Sequence, residues 1–156
     1  MHCGYVSRPN PVVTAHWMRR RYGGSTPLDP VELARRAGLK VECGPLPAHR
    51  PGYLVRCGPY THAILLNMRD SICRRNWTCA HELGHYAMHR YMRRVHAFSP
   101  SDRDPFEREA NRFAAELLMP AREVQHLAST MSFLRLAAYF GVSRQAMHLR
   151  LLEMNM

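Results

Sequence analysis

The pentapeptide His81-Glu82-Leu83-Gly84-His85 constrains this chain more than any other stretch. On an α-helix, residues four apart lie on one face and close together, so the two imidazoles can reach one ion and the segment reads as helix. Neutral imidazole nitrogens suit a zinc ion at close to tetrahedral angles. The carboxylate between them projects about 100° away, near the ion without binding it, where it can take a proton from an activated water. The helical pattern runs from a cap at Asp70-Ser71 to about Tyr91, with Trp77, Ala80, Leu83 and Met88 along it. His89 continues the spacing, but each step of four drifts about 40°. It therefore falls off the line of His81 and reads as a supporting or structural residue.

A catalytic zinc takes three protein ligands and keeps one position open. The next helix, opened by Asp104-Pro105 and ended by Pro120, offers Glu107, Glu109 and Glu116. With Phe106 at zero on a wheel, Phe106, Ala110, Phe113, Ala114, Leu117 and Leu118 make a stripe centred near about 40°. Glu107 falls at about 100°, on the shoulder of that stripe, while Glu109 and Glu116, at about 300° and about 280°, lean toward solvent. The wheel favours Glu107 as the third ligand over Glu109, although its spacing from Asp104 also fits a capping box. Asn111, one turn beyond Glu107, is placed to hydrogen-bond a ligating histidine.

The remainder is an α+β pattern. Helices are expected over about Val12–Arg21 and Val31–Ala37, the second capped by Asp29 and stopped by Gly38. Strands are expected at Leu39–Cys43, Tyr53–Cys57 and His62–Leu66, the last two flanking a short Gly58-Pro59 loop as a hairpin, giving a small antiparallel sheet of about three strands. A polar loop is expected over His96–Arg103. Two helices broken at Gly141 fill about Ser132 to Met154, where Ser143 caps the second and the pair resembles a helix-turn-helix with Arg144, Gln145, His148 and Arg150 available to a groove. Such hairpins are common packing elements, and packing is favoured over DNA reading. The chain divides as 1–125, a helical part (about 11–38), the sheet (about 39–66) and the metal-binding helices (about 71–91 and 104–119), with 126–156 as a hairpin packed on it.

At 156 residues the chain has room for one domain with a core. No apolar run approaches the ~20 residues of a membrane span, and arginines rather than an apolar core follow the first residues, so a soluble, cytoplasmic protein without a membrane partner is expected. Five cysteines without a C-x-x-C pair read as free thiols. Twenty-two basic residues, all arginine except Lys40, stand against 12 acidic ones, a net charge of +10 that favours acidic partners without choosing between nucleic acid and protein.

From about Ile64 to Pro120 the chain resembles the ImmA/IrrE family of zinc metallopeptidases. The resemblance rests on Ala80-His81-Glu82-Leu83-Gly84-His85-Tyr86, on the run from Glu107-Arg108-Glu109-Ala110-Asn111 through Leu117-Leu118-Met119-Pro120, and on Ile64-Leu65-Leu66-Asn67. It implies a minimal thermolysin-like, gluzincin-type core, with His81, His85 and Glu107 holding one Zn²⁺ and Glu82 as general base. It also implies a role in transcription regulation through cleavage of a helix-turn-helix repressor. Two histidines and a carboxylate also tolerate Mn²⁺. An oxyanion donor is expected, with Tyr86, Tyr91, His62 and His96 as candidates. The competing reading is a DNA- or protein-binding regulator whose zinc site is structural or vestigial. Glu82 argues against it, since a structural site has no use for an unligated carboxylate beside the metal.

Overall fold

The computed structural model describes residues 8–90 and 104–156. The expected polar loop over 96–103 lies outside these residues, as do Tyr91 and His96.

Local chemistry sets the first elements. The Asn10 side chain accepts from the Val12 and Val13 amides, Pro11 occupies the first turn, and Gly23 closes α1 (Pro11–Tyr22) at φ 74°. Asp29 caps α2 (Pro30–Arg36) in the same way. Three strands follow: β1 (Lys40–Gly44), β2 (Gly52–Arg56) and β3 (His62–Asn67), in the order β1-β3-β2. The hairpin is present, with Leu54 opposite Ile64. The sheet is nevertheless mixed rather than antiparallel, because β1 runs parallel to β3, with Val41 opposite Ile64. β3 is the most apolar strand and its Ala63, Ile64 and Leu66 are buried, so it takes the centre and leaves an edge on each side for β1 and β2.

Then come α3 (Ile72–His89), capped by Ser71, and α4 (Pro105–Leu118), capped by Asp104. α5 (Ala121–Ala128), without a side-chain cap bond and not expected from the sequence, precedes α6 (Phe133–Tyr139) and α7 (Arg144–Glu153). α3 packs on the sheet and on α4, and α1 packs on α4. One shared core holds Met18, Leu33, Ile64, Leu83, Phe113, Leu117, Leu136 and Met147. The crossing of α3 and α4 is close because Gly84 has no side chain: a Cβ there would lie 2.9 Å from Phe113 Cδ1 and 3.3 Å from Ala110 Cα. That approach brings the two expected metal-binding helices together.

The terminal hairpin is tied to this core. Asn76 Nδ2 donates to Gly141 O (3.3 Å), and Arg150 Nε donates to Met119 O (3.0 Å). Arg150 is buried against the Glu116 carboxylate and does not face a groove, whereas Arg144, Gln145 and His148 are exposed. Glu116 is correspondingly buried, not turned to solvent as the wheel suggested, because α1 and α7 cover that side of α4. No helix among the described residues is long and apolar enough to cross a membrane.

Candidate metal centre

One helical turn on α3 sets His81 above His85, and the close crossing at Gly84 sets Glu107 of α4 opposite both. His81 Nε2 and His85 Nε2 are 3.1 Å apart, His81 Nε2 is 3.2 Å from Glu107 Oε2, and His85 Nε2 is 3.3 Å from Glu107 Oε1. Metal–nitrogen bonds of about 2.0–2.1 Å at tetrahedral angles put ligand atoms about 3.3 Å apart. Each histidine nitrogen meets its own Glu107 oxygen at such a distance, and the three side chains converge closely enough to share a divalent ion. Among the described residues this is the one group of three or more such side chains close enough to share an ion.

The far side of each imidazole is also engaged. His81 Nδ1 lies 2.9 Å from Asn111 Oδ1, an acceptor, so Nδ1 donates and Nε2 is left with its lone pair toward Glu107. His85 Nδ1 lies 2.9 Å from His89 Nδ1, and His89 Nε2 lies 2.9 Å from Glu109 Oε2. With His89 donating to Glu109, its Nδ1 accepts from His85, which again frees Nε2 for the cluster. Glu109 is thus placed behind His85, not beside Glu107, and the Arg8 guanidinium approaches it at 3.5 Å.

When the imidazoles also carry a proton at Nε2, hydrogen bonds from His81 and His85 hold the Glu107 carboxyl far below the usual carboxylate range despite partial burial. Burial lowers the His81 pKa, but the hydrogen bond to Glu107 and the charges of Glu82 and Glu107 outweigh it, leaving His81 raised. In His85 burial prevails and the pKa is lowered. Both histidines are thus poised by one carboxylate.

Glu82 lies off the triangle, on the strand side. Its Oε2 accepts from the Leu54 amide at 3.0 Å. Cys57 N–H bonds to Thr61 O and Asn67 N–H to Pro51 O, so the odd-numbered residues of β2 pair with β3 and Leu54 turns its amide to the free edge. Burial, with the Glu107 charge added, raises the Glu82 pKa above the usual carboxylate range. Sequence reasoning missed Asn67, whose buried side chain donates to Leu46, Pro47 and Arg50 carbonyls at 3.0–3.2 Å and fixes the turn leading into β2. Its side-chain type and position at a strand end were visible, but not its three partners.

The cluster opens into a cleft of about 1100 Å³ bounded by β2, α3, α4 and α7. Of the oxyanion candidates that are described, His62 and Tyr86 stack edge to face at 5.2 Å and do not line this cleft.

A family model described as Peptidase_M78, IrrE N-terminal-like domain, matches residues 34–152. An uncharacterized immunity region protein 2 of Bacillus phage phi105 is 34% identical over 93 residues, 56% of this chain and 57% of the relative. The chain thus spans little more than half the length of that relative.

Proposed function

Since the chain belongs to the Peptidase_M78 family of IrrE N-terminal-like domains, we propose that it is a zinc-dependent metalloendopeptidase. The observation that carries this reading is the triangle of His81, His85 and Glu107 donor atoms with an unligated carboxylate, Glu82, between it and an exposed strand edge. A tetrahedral ion with two nitrogens and one oxygen favours zinc, with manganese the alternative. When bound there, the ion supplies Lewis acidity that polarises the scissile carbonyl and acidifies water.

The residues supply the rest. An extended substrate segment pairs with the outer edge of β2, where the backbone groups of Gly52 and Arg56 and the Leu54 carbonyl face outward while the Leu54 amide is held by Glu82. The Glu82 carboxylate takes the proton from the attacking water as oxygen bonds to the carbonyl carbon. It then delivers that proton to the amine nitrogen as the C–N bond breaks. Burial raises the Glu82 proton affinity, which favours its taking the proton from water. Asn111 and His89 hold the ligand rings in the tautomer that presents Nε2.

The substrate we infer is a helix-turn-helix repressor, acted on in the cytoplasm to regulate transcription. The ImmA/IrrE resemblance supports this, as does the phage relative's assignment to an immunity region. Residues 126–156 serve as a packing hairpin on the 1–125 peptidase part. The test is metal content by mass spectrometry on wild type, Glu107→Ala and Glu109→Ala. We expect about one zinc per chain, lost with Glu107 and retained more weakly without Glu109, and then cleavage of a repressor by wild type. Folded wild type that takes up no metal when zinc is offered defeats the reading.

A further inference from the structure

The cleft's charge exceeds what its chemistry uses. Five arginines line it, Arg50, Arg74, Arg108, Arg112 and Arg150, against three carboxylates, Glu82, Glu107 and Glu153. All three carboxylates are engaged: Glu82 with the Leu54 amide, Glu107 with the two histidines, and Glu153 with Arg150 at 3.3 Å. Arg74 pairs with Asp70 at 3.4 Å. Arg108 and Arg112 differ. Both are exposed, one helical turn apart on α4 and immediately beside Glu107 and Asn111, and neither has an anionic partner among the described residues. Like charges at this spacing repel each other, so the pair is unfavourable to the isolated chain, and a bound anion relieves it.

Resting on the peptidase reading for the nature of the ligand, we propose that Arg108 and Arg112 select an acidic segment of the polypeptide substrate. The carboxylates of that segment lie along α4 while its backbone follows the β2 edge. Leu149, exposed on α7 yet lining the same cleft, leaves an apolar position beside the acidic ones. The +10 net charge of the chain draws such a segment in from a distance.

The test uses the full chain carrying Glu82→Gln, loaded with zinc so that binding is read without turnover. Fluorescence anisotropy compares a labelled ten-residue peptide rich in Asp and Glu with the same peptide carrying Asn and Gln. The acidic peptide is expected to bind about tenfold more tightly. That preference disappears in Arg108→Ala/Arg112→Ala, survives in Arg20→Ala/Arg21→Ala on α1, and falls on going to 0.5 M salt. Equal binding of the two peptides, no binding of either, or indifference to the Arg108 and Arg112 substitutions overturns the proposal. A single-stranded DNA oligomer that binds through the same two arginines more tightly than the acidic peptide also overturns it. Cleavage by the wild-type chain is scored separately. Acidic binding without cleavage defeats the peptidase and leaves the acidic groove, whereas cleavage without acidic preference defeats the groove and leaves the peptidase.

Discussion

Of the three glutamates on α4 that meet histidines, Glu116 and Glu107 end in opposite circumstances. Glu116 is buried with Arg150, and its Oε1 accepts from the Ala121 amide at 3.2 Å and lies 2.7 Å from His16 Nε2. The cation that balances it belongs to the chain. Glu107 faces two imidazole nitrogens whose lone pairs converge with its own oxygens, in a cleft open to solvent. Among the described residues no arginine is paired with Glu107, so the charge that balances the cluster is left to a bound ion or proton. The hydrogen bond to Glu107 and the charges of Glu82 and Glu107 raise the His81 pKa in spite of burial. Glu116 is buried and Glu107 partly so. What separates a structural site from a chemical one is whether the chain completes its own charge.

The comparison predicts that the two ends fail differently. The largest effect is expected at the closed end. Arg150→Ala strands a buried carboxylate and should cost about 3–5 kcal/mol in urea unfolding, while the double substitution Glu116→Gln/Arg150→Met recovers most of it. Metal content of the folded fraction should not change. A loss below about 1 kcal/mol would mean that Glu116 is not sealed by Arg150. At the open end, Glu82→Gln is expected to lower kcat about a hundred- to thousandfold with stability and metal stoichiometry unaltered. Loss of the metal together with the rate would recast Glu82 as a ligand.

The open end was legible in the sequence and the closed end was not. Grouping His81, Glu82 and His85 needed only the helical period, whereas Glu107, whose spacing from Asp104 also fits a helix cap, needed a wheel for α4 read beside that histidine pair. Glu116 sits on the same wheel, but what covers it comes from His16 and Arg150, on two other helices distant in sequence. A wheel sees its own helix and reads the uncovered side as solvent. The β2–β3 hairpin announces itself by a short loop, whereas the parallel pairing of β1 with β3 skips the strand between and leaves no local mark. α5 escaped because Pro120, read as a stop, also opens the next helix, with no side-chain cap to signal it. Glu109 was weighed as a ligand because its position on α4 is visible, while its actual partner, His89, is a residue of α3.

That relay gives a smaller effect. Glu109→Ala leaves the triangle intact but removes the acceptor that orients His89 and, through it, His85. Zinc affinity measured against a chromophoric chelator should fall about tenfold, with one metal still bound at saturation. His89→Ala should match it, and the double variant should add little, since both act through the same bond to His85. Additive losses would separate Glu109 from His89 and place its influence elsewhere, such as on Arg8.

The smallest expected effect tests how dry the packed side of α3 is. Cys79 is fully buried in the core, and burial, with the charges of Asp29 and Glu82 added, pushes its thiol from about 9 up to about 12. Between these values the unfolded chain releases the thiol proton and the folded chain keeps it. The unfolded state then binds fewer protons, so stability is intact below about pH 9 and declines as pH rises toward the folded value. At pH 10 the loss from this group alone is about 1.4 kcal/mol. Cys79→Ala carries a constant packing cost but loses the titration, so the difference between wild type and variant in urea unfolding should narrow from pH 8 to pH 10. A difference that stays constant would mean that water reaches Cys79 and that α3 does not pack dry against the core there.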